Sequence, residues 1–237
     1  MTRSNKLAAL VALTLGSSTG FAQDEEGFSG RAALGYLATS GNSESDSLNA
    51  NGGLWWNYAP WSHSLLARAI QSNTSGISTA KAYGLAWKSD YALNETDYVF
   101  GLIAWDKDKF SAYDQQIREV VGYGRRFIAR ERHILNGEAG FGARQADLRN
   151  GTSQDDGILH LGGDYRWIIS DTSEFTQTLS IDSSSDNTFL EATSALSANV
   201  RDSLALVISY TIKNNSDVLP GTEKTDTFTA ISLEYAF

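Results

Sequence analysis

The chain has 237 residues, no cysteine, and 28 Asp and Glu against 19 Lys and Arg, for a formal charge of −9. That acidic surplus argues against a nucleic-acid partner, and the lack of cysteine excludes a fold held by disulfides. Length alone would allow one large domain or two ordinary ones.

Residues 1–22 have the form of a secretory signal peptide: Arg3 and Lys6 precede the apolar run Leu7–Leu15, and small residues lead to Phe21 and Ala22. Cleavage after Ala22 would leave a short periplasmic segment, 23–27, before a body that runs from 28 to 237. The apolar run is too short to cross a bilayer, and no later stretch approaches the roughly 20 apolar residues that a spanning helix needs. The reading is an exported protein without a helical anchor.

From Phe28 onward one pattern repeats: a stretch of alternating apolar character, then a break rich in Gly, Asn, Asp, Ser or Pro. The stretches lie at approximately 28–40, 45–58, 61–74, 79–92, 96–106, 113–127, 132–146, 157–169, 173–183, 188–199, 203–213 and 225–237. Alternation is clearest late in the chain. Leu204, Leu206, Ile208, Tyr210 and Ile212 share one face there, and Ile231, Leu233, Tyr235 and Phe237 share another. Stretches this long exceed the usual soluble strand of about five or six residues and suit a tilted crossing of a bilayer. The predicted fold is all-β: a transmembrane, antiparallel, up-and-down barrel of about twelve strands.

Charged residues fall on the polar phase at mid-strand. Arg68, Lys88, Arg118, Arg126, Glu138, Arg144, Asp164, Arg166 and Glu234 are therefore expected to face the lumen, since Arg facing lipid near the midplane costs about 2–4 kcal/mol. Between residues 117 and 127 the apolar positions Ile117, Val120, Val121, Tyr123 and Phe127 change phase, which suggests a bulge. Glycines two apart in Gly122-Tyr123-Gly124 and Gly140-Phe141-Gly142 would share a face and could admit an aromatic ring from a neighbouring strand.

Short links at Ala59-Pro60, Leu93–Glu95, Ile128–Glu131, Ser170–Thr172 and Val200–Asp202 alternate with longer ones at Lys107–Ala112, Asp147–Asp156 and Asn214–Lys224. Bacterial barrels alternate short periplasmic turns with longer outer loops, so both termini are expected in the periplasm. Pro60 and Pro220 both fall in links, where a missing N–H breaks no ladder. Ser40-Gly41-Asn42 suits a tight hairpin. Trp56, Tyr58, Trp61, Tyr91, Tyr98, Trp105, Trp167, Tyr235 and Phe237 lie near strand ends, as interfacial girdles require.

The run Phe28–Glu44, with its Thr39-Ser40-Gly41-Asn42 turn, resembles the opening of the YdiY-like salt-induced outer membrane protein family. Asp106-Lys107-Asp108-Lys109-Phe110, Gly122–Arg126 and Glu138–Arg144 extend the resemblance over the mature chain, with Lys109 standing where the family is expected to have Arg. The resemblance implies an outer-membrane barrel and no particular reaction or ligand. The alternating aromatic ending, Tyr235 and Phe237, looks like the assembly signal that the barrel assembly machinery reads.

Three functional classes follow. The first is a small, weakly selective polar pore, or a protein related to envelope stress under salt; the second is a closed structural barrel without transport. The third is an outer-membrane hydrolase, for which His160 with Ser153, Asp155 and Asp156 would be the material, although no Gly-x-Ser-x-Gly element occurs. The first reading is preferred, with no catalytic residue, no cofactor and no metal, although Asp106, Asp108 and Asp114 could approach a divalent ion. The expected partners are outer-membrane lipid, lipopolysaccharide and the assembly machinery.

Overall fold

A computed structural model describes residues 26–39, 45–75, 77–109, 113–148, 151–201, 203–218 and 224–237. The signal segment 1–22, the Ser40-Gly41-Asn42 link, Pro220 and Gly221 lie outside the described residues. The strands are β1 (Gly27–Thr39), β2 (Ser45–Tyr58), β3 (Trp61–Thr74), β4 (Ile77–Ala92), β5 (Asp97–Asp108) and β6 (Tyr113–Arg130), followed by β7 (His133–Leu148), β8 (Ser153–Ser170), β9 (Ser173–Ser183), β10 (Thr188–Arg201), β11 (Leu204–Asn215) and β12 (Thr225–Ala236). Each pairs with its neighbours in sequence, and β12 pairs antiparallel with β1, so the sheet is a closed twelve-stranded barrel.

Closure satisfies the backbone. A strand edge facing lipid would leave N–H and C=O groups unpaired at several kcal/mol each. The β1–β12 seam runs from Arg31↔Ala236 to Leu34↔Leu233. It is extended by a reciprocal pair: Gly30 N–H donates to the Phe237 carbonyl at 2.8 Å and Phe237 N–H to the Gly30 carbonyl at 2.9 Å.

Period-two alternation sorts the side chains into two faces. On β5, Tyr98, Phe100, Leu102, Ala104 and Asp106 are buried, while Val99 and Ile103 between them are exposed. Around the barrel the outward set is largely apolar, including Leu34, Leu85, Phe141, Leu159, Ile208 and Leu233, and the buried inner set includes the charged residues Lys88, Asp90, Arg118, Glu138, Arg144 and Asp182. This inverts the usual soluble pattern and fits a barrel whose outer face meets hydrocarbon.

At the end that holds both termini, aromatic rings cluster on the outside. Trp61 stacks with His63 at 5.8 Å between ring centroids and meets Tyr91 edge-on at 5.0 Å; His133 stacks with Trp167 at 5.9 Å, and Tyr235 with Phe237 at 6.2 Å. Tyr98 departs from the expected girdle: it is 8% exposed and points inward.

Two other expectations are refined. The irregularity expected within 117–127 falls at its end: the even positions from Arg118 to Arg126 all lie on the inner face, with Val120 an apolar residue buried there, and the register against β7 shifts between Arg126 and Ile128, at Phe127, as it also does between Tyr113 and Gln115. The link expected over Asp147–Asp156 is also shorter, with β7 continuing to Leu148 and β8 starting at Ser153. The acidic and polar residues there extend the strands past the apolar band.

Candidate functional site: the charged interior and its vestibule

The interior is built around aromatic rings that neighbouring glycines make room for. A Cβ on Gly124 would lie 2.2 Å from the Tyr98 ring, and one on Gly122 would lie 2.6 Å from Phe100 and 2.5 Å from the Ala139 carbonyl. The β6 glycines thus seat two β5 aromatics against the wall, whereas Cβ atoms on Gly140 and Gly142 would strike β6 backbone. Phe100, Leu102, Ala104, Val120 and Ile158 pack with Tyr98 and Ala86 into an apolar cluster inside the barrel.

Ion pairs surround that cluster. Lys88 Nζ lies 2.5 Å from Glu138 and 2.9 Å from Asp90, and Tyr98 donates its phenolic proton to Glu138 at 2.7 Å. The Lys88–Glu138 pair joins β4 to β7, so it bridges strands three apart across the interior. Arg118 of β6 reaches Asp182 of β9 over a similar span, and His160 Nδ1 shares Asp182 at 2.6 Å. Arg68 pairs with Asp106, Arg144 with Asp156 at 2.7 Å, and Lys213 with Glu191 at 3.3 Å. Most of these groups are buried; Arg118 and Glu138 are 7% and 8% exposed. In such surroundings each charge depends on its partner, since removing one leaves an uncompensated buried charge.

Toward the terminal end lies a vestibule of about 510 Å³, whose walls include Arg31, Trp55, Arg166, Glu174 and Glu234, and whose floor includes Asp164 and Thr178. Arg166 grips Glu174 through Nε at 2.7 Å and a terminal nitrogen at 2.5 Å. Arg31 lies over the Trp55 ring at 4.7 Å and faces Glu234 at 3.7 Å.

The residues singled out from the sequence therefore occupy several groups rather than one. Arg68, Lys88, Arg118, Glu138 and Arg144 belong to the buried ion pairs, while Asp164, Arg166 and Glu234 line the vestibule. Arg126 sits near the terminal rim and donates to the Glu95 carbonyl at 3.1 Å.

Sequence reasoning missed the partners Asp90, Asp182, Glu191 and Lys213, and it grouped Asp106 with Asp108 and Asp114 instead of with Arg68. Each lies on the buried phase of its strand, so the alternation carried the signal. Asp106 and Asp114 do not converge on a shared ion; they pair with Arg68 and with Lys107 respectively. Nor does His160 meet the nearby acids and serine: Asp156 is held by Arg144, and Ser153 donates to Asp147 at 2.8 Å.

The family model described as "Protein of unknown function, DUF481" matches residues 32–237. "Uncharacterized protein YdiY" of Escherichia coli (strain K12) is 30% identical over 210 residues, which cover 88% of this chain and 83% of that protein. Among solved structures, the chain is similar to the NanC porin, with a TM-score of 0.50 and 10% identity over 89% of this chain and 98% of that one. It is similar to the translocator domain of autotransporter NalP from Neisseria meningitidis, with a TM-score of 0.52 and 11% identity over 92% and 91% of the two chains. The COG4313 outer membrane channel from Pseudomonas putida F1 gives a TM-score of 0.52 and 10% identity over 88% and 94%. At such identities the likeness to these structures is one of fold: the closed barrel of outer-membrane porins, channels and translocators. With the match over nearly all of the barrel and the identity to the Escherichia coli protein, the chain belongs to the DUF481 family, as a YdiY-like member.

Proposed function

We propose that this protein is a non-enzymatic outer-membrane barrel, delivered by a cleaved signal peptide, whose lumen is closed at rest by ion pairs and an apolar cluster. The observation that carries this reading is the burial of the inner-face charges. Lys88 and Arg118 are 6% and 7% exposed, and each is held by a carboxylate from three strands away. In a permanently water-filled pore of this width such side chains would line the wall and meet solvent. A barrel of modest strand number can instead be filled by its own side chains.

The porin-like fold favours a second reading, in which the same pairs form a gate that opens to pass small polar solutes. The mixed charge of the lining would then give weak ion selectivity. Conductance in planar bilayers separates the readings. The closed barrel should be silent, and the combined variant Lys88→Ala, Glu138→Ala, Arg118→Ala, Asp182→Ala should conduct. Steady conductance by the unaltered protein would eliminate the closed reading, and brief voltage-dependent openings would favour the gate. Lipid and lipopolysaccharide around the apolar band, and the assembly machinery during insertion, are the partners this reading requires.

A further inference from the structure

The floor of the vestibule holds oxygen ligands without a matching cation. Asn136, Asp164 and Thr178 are direct cross-strand neighbours on β7, β8 and β9, because Asn136 pairs with Asp164 and Asp164 with Thr178. All three are buried, at 2%, 7% and 7% exposure. Asn136 donates its amide to Asp164 at 2.9 Å, which fixes the orientation of the amide. The Asn136 side-chain oxygen has no hydrogen-bond partner, and neither does the Thr178 hydroxyl. Buried polar atoms are seldom left this way, because each lacking a partner costs about 1–3 kcal/mol.

Charge points the same way. Among the described residues Asp164 forms no ion pair, while the vestibule pairs Arg166–Glu174 and Arg31–Glu234 are each balanced. Lys88, a buried cation of the same interior, already serves both Asp90 and Glu138. Lys88 and Arg126, the cross-strand neighbour of Asn136 on β6, set two positive charges against the three carboxylates Asp90, Glu138 and Asp164. One carboxylate flanked by two neutral oxygens suits a single positive charge, whereas divalent ions gather several carboxylates. Asp164 and Thr178 both border the open vestibule, so a ligand can reach them from the terminal end.

We infer that Asp164, Thr178 and Asn136 form a binding site for a monovalent cation, supplied either as an inorganic ion or as the ammonium group of a small hydrophilic solute. The site stands whether or not the ion pairs above it open. The test is titration calorimetry on the full barrel purified from outer membranes, with ionic strength held by tetramethylammonium chloride, which is too bulky and lacks N–H donors. Potassium, methylammonium, glucosamine and the uncharged N-acetylglucosamine are the probes.

Saturable binding of potassium or methylammonium is expected. Affinity should fall about tenfold or more in Asp164→Asn, the scale of one charge-assisted contact, and should also fall in Thr178→Val. N-acetylglucosamine should not bind. Potassium binding that glucosamine does not exceed would assign the site to a bare ion, and tighter binding of glucosamine would assign it to an amino solute that uses the vestibule walls. Heat-modifiable migration shows whether each variant folds; if Asp164→Asn does not, Thr178→Val decides. Absence of saturable binding in the unaltered barrel, or unchanged affinity in the folded variants, would overturn the site and leave Asp164 a purely structural group.

Discussion

Lys88 shows how a single inner-face residue carries its surroundings. Its ammonium faces Glu138 and Asp90 and lies 5.1 Å and 5.3 Å from the Phe100 and Tyr98 ring centroids. Lys88→Met should destabilise the barrel by about 3–5 kcal/mol, because two buried carboxylates lose their counter-charge. Lys88→Met with Glu138→Gln should restore part of that loss, since one of the stranded charges is gone. Urea unfolding of the refolded barrel, followed by tryptophan fluorescence, measures both; a double variant no better than the single would show that Glu138 does not depend on Lys88. Gly124 tests the packing beside it. In Gly124→Val the new side chain meets the Tyr98 ring and displaces the phenol that donates to Glu138, so the same assay should show a loss of about 1–3 kcal/mol.

The element that matters most for closure is β12. Its register against β1 spans only Arg31↔Ala236 to Leu34↔Leu233, whereas β1 and β2 pair from Gly27↔Asn57 to Thr39↔Ser45. The reciprocal bonds between Gly30 and Phe237 therefore make up a large share of a short seam. The Phe237 ring also covers Gly30, where a Cβ would come within 2.5 Å of it. Deleting Phe237 should lower outer-membrane yield and the heat-modifiable fraction, and Gly30→Val should do the same by pushing the ring off the seam. Full yield and protease resistance in both variants would remove any special role for this ending, including the assembly role read from Tyr235 and Phe237.

For the whole molecule, the alternation of connections gives an orientation. At the terminal end β2 and β3, β6 and β7, β8 and β9, and β10 and β11 are joined by very short links, while the opposite end carries the longest link, between Asn215 and Thr225. Epitope tags at Gly151 and Gly221 should therefore be labelled on intact cells. Labelling only after the outer membrane is permeabilised would place the opposite end in the periplasm. Gly151 suits insertion locally as well: its φ of 84° lies in a turn, and a Cβ there would meet open space.

Strand number, antiparallel order and the two-faced character of the wall were legible in the sequence because the side-chain period of a strand is two. One polar phase, repeated over stretches this long, leaves a closed barrel as the economical solution for backbone and side chains together. Arg68, Lys88, Arg118, Glu138 and Arg144 could be placed on the polar phase for the same reason. What the sequence could not show was which charges meet. Lys88 and Glu138, or Arg118 and Asp182, are far apart in the chain and on strands that do not touch; only the curvature that closes the sheet brings them together across the interior. The same holds for Val120, whose inward turn among Phe100, Leu102 and Ile158 reads as a phase error until the barrel supplies its neighbours. The row of Asn136, Asp164 and Thr178 likewise depends on the register between β7, β8 and β9, which hydrogen bonding and the β8–β9 turn set in three dimensions and which alternation along any one strand leaves undetermined.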